Sequence, residues 1–345
     1  MSSNPPDKPV RASLKTLAEY LDLSPTTISL VINDAPLSKS IPAHTRERVH
    51  AAAKKFNYHP SFSARSLRTQ KTYSVGVIVP EMSDGYCTGL MSGVEETLMQ
   101  AGYMYFTVSH FGKLDLVAEH PRLLLQRSVD GMLLIDTQLQ EQPSVPVVLI
   151  EHESPFNGVT SILLDNRKVA ELALHHLYEL GHRKIVLMRG GGTCLDAQER
   201  WRHYVGVAQE LGLEIPPERA ITTAPDAWTP DAGYPIVREL LERTRDFTAI
   251  LAFNDMAAIG AMRAIHEAGL RCPEDISVVG VDDIGIAAFQ QPALTTVRQP
   301  LRHMGEIAAQ QLINRMKQKD LDHPARFVIT PELVLRRSTA PVRQT

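Results

Sequence analysis

Asp282 and Asp283 are the nearest the sequence comes to a paired carboxylate. Their adjacency argues against acid/base work, because neighbours on a strand point to opposite faces and do not flank one bond. His175 and His176 are also adjacent, in a stretch of helical pattern. That is the wrong spacing for two ligands of one metal. Gly190-Gly191-Gly192 lacks the Lys-Ser/Thr that completes a phosphate loop, and reads as a flexible exit from a strand. No Ser or Cys stands in a nucleophile elbow. The three cysteines, Cys87, Cys194 and Cys272, lie far apart without CxxC spacing and read as free thiols of a reducing compartment. No catalytic residue, metal or cofactor is therefore expected, and the chain does not read as an enzyme.

A different chemistry, hydrogen bonding by short side chains, is concentrated near the start. Leu14, Leu17, Ala18 and Leu21 have helical spacing, and Ser13 precedes them as a cap. Asp22-Leu23 makes a tight turn. Ser24 caps a second helix with Pro25 at its first position, where a missing N–H costs nothing. Ile28, Val31 and Ile32 share one face of it, leaving Thr26, Thr27 and Ser29 outward. Two short helices joined this way form the unit that enters the major groove, although the spacing also fits an ordinary helical bundle. Charge favours the first reading. Up to Thr72 there are eleven Lys or Arg against five acids, a net +6, which leaves −9 for the rest of a chain of net charge −3. One end is suited to a polyanion and the other is not.

The elements that must carry these residues extend over 345 residues, enough for two or three domains. With 43% hydrophobic and 22% charged residues the composition is that of a soluble globular protein. No apolar run nears the ~18 residues of a membrane span. Residues 1–10 read as a disordered leader without a secretory signal, so a cytoplasmic protein is expected. Asn57-Tyr58-His59-Pro60 marks a corner, since a residue before proline leaves the helical region. Ser61 to Arg68 is a short polar segment with helical potential. Strands are then expected at 74–79, 103–108, 131–135, 145–150, 184–188, 249–252 and 276–281. Helices are expected at 94–101, 166–180, 200–211 and 256–268. Gly181, Gly212 and Gly269 stop three of these helices. Apolar strands spaced by helices imply doubly wound parallel sheets, and their number implies two lobes with a cleft between them.

Leu17-Ala18-Glu19-Tyr20, Ser24 to Asn33, Thr45-Arg46-Glu47-Arg48-Val49 and Asn57-Tyr58-His59-Pro60 together resemble the headpiece of the lac repressor/galactose repressor (LacI/GalR) family. Arg183-Lys184-Ile185, Asn254-Asp255-Met256-Ala257, Gly280-Val281-Asp282-Asp283 and Pro292 to Val297 extend the resemblance, in order, over nearly the whole chain. It implies a small all-α helix-turn-helix headpiece at 11–60, a hinge helix and linker at 61–72, and a two-lobed core at 73–345 like periplasmic sugar-binding proteins. The N-lobe would comprise about 73–164 and 299–328, and the C-lobe about 165–298 and 329–340. The resemblance implies DNA contacts from Ser24, Pro25, Thr26, Thr27, Ser29, Leu30, Asn33 and Tyr58. Ser61, Ala64, Arg65 and Leu67 would follow them, with Leu67 as a minor-groove wedge.

Two features depart from the family. Pro25 and Leu30 replace polar readers and make no bidentate bond to guanine. The loop Asp34 to Ile41 is a few residues longer than usual. For the effector, the resemblance implies Arg200, Trp228, Asn254 and Asp282 on one lobe, with Tyr86 and Glu151, and also Met82 and Asp136, on the other. An aromatic face packs on a sugar ring while Arg and Asp bind its hydroxyls. The implied protein is a cytoplasmic homodimeric repressor that binds double-stranded operator DNA and senses a small molecule. That molecule is a sugar first and a nucleobase or nucleoside second. A solute-binding protein of sugar transport is the alternative on the same fold.

Overall fold

The computed structural model describes residues 13–58, 66, 71–82, 85–192, 195–224, 229–318 and 321–343. The leader, Ser61, Ala64, Arg65, Leu67, Cys194 and Trp228 lie outside the described residues. The chain divides into two units, residues 1–72 and 73–345.

The first unit is helical. Helix α1 spans Leu14–Leu21, and the Ser13 hydroxyl accepts the Thr16 amide at 3.1 Å while Thr16 Oγ1 accepts the Ser13 amide at 3.2 Å. Asp22 stops it in the left-handed region, at φ 54°. Helix α2, Pro25–Ile32, starts as expected, with Ser24 accepting the Thr27 amide at 3.0 Å. The long connection after it is ordered into a 3₁₀ turn, Pro36–Ser40, and α3 follows over Ala43–Lys55. Leu17, Ala18, Leu21, Ile28, Val31, Val49 and Ala52 form the core where the three helices meet.

In the second unit, strands and helices alternate. They run β1 Ser74–Val79, α4 Gly85–Gln100, β2 Met104–Ser109, α5 Leu114–Gln126, β3 Gly131–Ile135, β4 Val147–Ile150 and β5 Val159–Leu164. Then come α6 Asn166–Glu179, β6 Ile185–Arg189, α7 Leu195–Glu210, β7 Ala220–Thr222, α8 Tyr234–Arg243, β8 Ala249–Leu251 and α9 Asp255–Glu267. The chain finishes with β9 Ser277–Asp282, β10 Thr295–Arg298, α10 Leu301–Lys317, β11 Arg326–Ile329 and β12 Glu332–Val334.

Two six-stranded sheets result. One has the order β11-β5-β4-β3-β1-β2, and the other β12-β10-β9-β8-β6-β7. All pairings are parallel except β10 with β12. Their central strands are mostly apolar and buried throughout, as helices on both faces require. The chain passes from one sheet to the other after β5, returns after β10, and passes again between β11 and β12. Each sheet with its helices is one lobe. Gly181, Gly212 and Gly269 take positive φ at helix ends, as expected.

Two helices begin earlier than their apolar pattern indicates: α4 at Gly85 rather than Val94, and α7 at Leu195 rather than Arg200. For α4 the reason is packing. A Cβ on Gly93 would run into the backbone carbonyl of Arg302, and one on Gly305 into that of Leu90. Glycine lets α4 and α10 approach backbone to backbone at some cost in helix propensity.

Candidate functional site

On the first unit, α2 turns Ile28 and Val31 inward and leaves Ser24, Pro25 and Thr26 exposed. Four of the expected DNA-contacting side chains already have local partners, as two pairs. Thr27 Oγ1 lies 2.8 Å from the Ser24 hydroxyl, and Asn33 Nδ2 donates to the Ser29 carbonyl at 2.7 Å and to its hydroxyl at 3.3 Å. Leu30 is half-buried, and Tyr58 packs against the headpiece core. Cations frame the unit. Lys39 on the 3₁₀ turn and Lys54 on α3 are exposed and form no ion pair among the described residues, whereas Arg48 donates to the Leu21 carbonyl at 3.1 Å. A face of short hydroxyls and a proline with free lysines beside it offers phosphate contacts and small-side-chain base contacts.

In the second unit, acidic residues with unusual backbone conformation cluster at the carboxyl ends of the strands. Asp136 follows β3 at φ 39°, Glu151 follows β4 at φ 69°, and Asp282 ends β9 at φ 118° with Asp283 after it at 57°. Non-glycine residues pay roughly 1–3 kcal/mol for such conformations, which persist where the surroundings over-determine them and which cluster at ligand sites. Ligands of doubly wound sheets sit at this end of the strands. On the N-lobe side, Asp136 Oδ1 meets His152 Nε2 at 3.2 Å, and both side chains are buried. Tyr86 is in the first turn of α4, half-buried against the N-lobe core, and Met82 is exposed.

The C-lobe residues expected to bind the effector are joined through their neighbours. Arg200, only 2% exposed, donates from Nε to Asn166 Oδ1 at 2.9 Å and from Nη1 to the Phe253 carbonyl at 3.2 Å. Asn254 is next, and its side-chain oxygen caps α9 by accepting the Ala257 amide at 2.8 Å. Asp255 follows, buried, accepting Thr296 Oγ1–H at 2.6 Å and the Ile284 amide at 2.9 Å. A Cβ at Gly280 would collide with its carboxylate, so glycine is required there. Asp282 in turn accepts Gln299 Nε2 at 2.7 Å. Gln299 is 3% exposed, and its side-chain oxygen has no hydrogen-bond partner among the described residues. Asn166 and Gln299 carry no local sequence signal of a site, and only their buried polarity in the fold marks them. Asp255 has a signal only through the block it shares with Asn254.

Burial pushes the Asp255 carboxyl up to about 7, against the lowering by Thr296 and the Ile284 amide, while Asp283 nearby adds to the rise. From an ordinary value of 3.8, folding thus raises the proton affinity of this group. Its contribution to stability is present at acid pH and is lost as pH rises through about 7. Asp255→Asn stays neutral and keeps one acceptor and one donor. Its thermal midpoint, measured against wild type at pH 5 and pH 8, should gain on the wild type toward pH 8. A flat difference would mean that Asp255 is ionised throughout.

A cavity of about 650 Å³ opens beside these residues. Glu151, His152, Leu163, Arg326 and Val328 line it from one lobe, and Asn166, Arg167, Glu199, Arg202 and His203 from the other. Of the expected effector residues it includes Glu151 alone, and Arg200 reaches its edge through Asn166. Its arginines already have acidic partners: Arg167 with Glu171 and Glu210, Arg202 with Glu199, and Arg326 with Glu153. The strand ends, with their buried polar groups, are therefore the stronger candidate for recognition, and the cavity is their flank.

Residues 13–61 match the lacI family of bacterial regulatory proteins, and residues 174–339 match a periplasmic binding protein-like domain. The HTH-type transcriptional repressor PurR of Haemophilus influenzae is 33% identical over 342 residues, spanning 96% of this chain and 99% of that protein. The lac repressor dimer bound to operator and the anti-inducer ONPF aligns with a TM-score of 0.81 at 27% identity, over 96% of this chain and 100% of the other. A LacI family transcriptional regulator from Enterococcus faecium with bound ribose aligns with a TM-score of 0.69 at 25% identity, over 78% of this chain and 100% of that one.

Proposed function

Because the chain belongs to the lacI family of bacterial regulatory proteins, we propose that it is a homodimeric transcriptional repressor whose grip on operator DNA is set by a small sugar bound in the core. The observation that carries this reading is the headpiece: a capped pair of short helices with an exposed Ser24-Pro25-Thr26 face and unpaired lysines beside it. It also separates the protein from a solute-binding protein built on the same core.

In this reading Thr26 and Ser29 touch base edges, while Ser24, Lys39 and Lys54 touch phosphates. Ser61, Ala64, Arg65 and Leu67 act on the minor groove. Arg200, Asn254 and Asp282 bind hydroxyls of the effector, Trp228 stacks on it, and Tyr86 and Glu151 close over it from the other lobe. Pairing into a dimer covers apolar side chains left outside the core. Edge strand β2 exposes Met104 by 73% and Phe106 by 48%, and Phe289 is 84% exposed. Two headpieces then read a near-palindrome.

The test is fluorescence anisotropy with a mixed-sequence DNA duplex across a salt series. The full chain should bind with log K falling steeply with log salt, by about 0.9 for each phosphate neutralised, and residues 73–345 alone should not bind. A flat slope, or binding by the core alone, overturns the reading.

A further inference from the structure

Asp283, beside Asp282, is held by two arginines. Its Oδ2 accepts Arg298 Nε at 2.7 Å, and its Oδ1 accepts Arg336 Nη2 at 2.5 Å. Its side chain is 8% exposed and that of Arg336 17%. Arg336 is fixed in its turn, donating Nη1 to the Leu294 carbonyl at 2.8 Å and its amide to Thr295 Oγ1 at 3.0 Å. Arg298 also pairs with Glu332 on β12. We infer that Asp283, gripped by Arg298 and Arg336, is the positioning residue of the effector site: it fixes the direction of the Asp282 carboxylate and ties it to β10 and to the segment after β12, beside the crossings between the lobes. The inference rests on the reading of Asp282 as an effector ligand.

Backbone strain gives the first reason. Asp282 and Asp283 both sit at positive φ, and two such residues in succession relax unless something holds them. Two guanidiniums from different segments supply that hold, each through a charge-assisted bond. Topology gives the second. Arg298 is the last residue of β10, and Gln299, which donates its amide N–H to the Asp282 carbonyl at 3.3 Å and Nε2–H to its carboxylate, begins the crossing to α10. Glu332 and Arg336 follow the next crossing, from β11 to β12. Asp283, Arg298 and Arg336 belong to one lobe, so the clamp moves with it as a unit, and a rotation of the lobes bears on Asp282 through Gln299 at the start of the crossing. By linkage, a ligand that holds Asp282 biases the same rotation.

Arg336→Lys separates positioning from bulk stability. Lysine keeps the charge but does not hold the Leu294 carbonyl and Asp283 Oδ1 in one fork. The full-length protein, Arg336→Lys and Asp282→Asn are compared by calorimetry with D-ribose as probe, alongside their thermal midpoints. The expected result is a near-wild-type midpoint for Arg336→Lys with ribose affinity lowered roughly tenfold or more, the scale of a misplaced binding group. Asp282→Asn should lose binding. Wild-type affinity in Arg336→Lys while Asp282→Asn loses it overturns the inference alone. Unchanged binding by Asp282→Asn overturns the effector reading and the inference with it. If ribose does not bind the wild type, amide hydrogen exchange on the sugar-free proteins decides. Arg336→Lys should speed exchange at Ile284 and Gln299 while leaving Val279 and Val281 of β9 unchanged, and equal protection at all four rejects the clamp.

Discussion

Leu17→Ala is expected to abolish DNA binding and to leave the thermal transition of the core where it is. Leu17 is fully buried at the meeting point of the three headpiece helices, in a core of seven buried residues among those described. Removing a buried leucine side chain costs about 2–5 kcal/mol. A unit of this size rarely holds more than about 3–5 kcal/mol of stability in total, so the deletion empties its reserve. The core has its own two sheets and its own apolar clusters, and it forms a separate compact unit. Anisotropy with the DNA duplex should therefore fall to background while calorimetric unfolding keeps its main peak. Retained DNA binding would show that contacts outside the described helices hold the headpiece together. A shifted main peak would show that the two units share stability.

The headpiece is the part most legible in the sequence, because its signals are local. Ser13, Ser24 and Pro25 act within one helical turn of where they stand, and the structure uses each as its residue type dictates. The alternation of buried strands and helices is legible for the same reason, and so are the glycine stops. Elements shaped by distant partners are not. Gly85, Gly89 and Gly93 dilute the helical pattern of α4, yet Ile284, Leu301 and the Arg302 backbone lie where their side chains would be. Helix α5 has no side-chain cap at its start and contains Pro121, so its sequence argues against a helix that packing imposes.

The site divides along the same line. Asp282 and Asn254 stand in blocks that resemble a family and Arg200 is implied by that resemblance, whereas Asn166, Gln299 and Arg336 become visible only when strands far apart in sequence meet. Nothing in an isolated aspartate announces φ 57°, and nothing in Arg336 announces its partner fifty-three positions away.

Arg200→Met is the second large effect, and it acts on the sensor without unfolding it. Methionine fills similar space with a flexible apolar chain. Removing the guanidinium leaves two buried acceptors, Asn166 Oδ1 and the Phe253 carbonyl, without their donor, at a cost of about 1–3 kcal/mol for each. The thermal midpoint without ligand should therefore fall while the core stays folded. The lost donors matter more to a ligand. A site built to hydrogen-bond a hydroxyl leaves that hydroxyl unpaired and buried once the donor is gone, and discrimination of this kind reaches ~10²-fold or more. Ribose, or whichever sugar proves to shift the wild type, should bind the variant at least that much more weakly, and its release of operator should disappear in parallel. Full sensitivity in Arg200→Met would recast Arg200 as a brace joining α7 to Asn166 and to the end of β8. Recognition would then move to the cavity along Glu151, Glu199 and His203, where ligand binding would have to exchange partners within existing ion pairs. That mode of binding weakens with salt, because exposed ion pairs are screened, whereas recognition by the buried Arg200 does not.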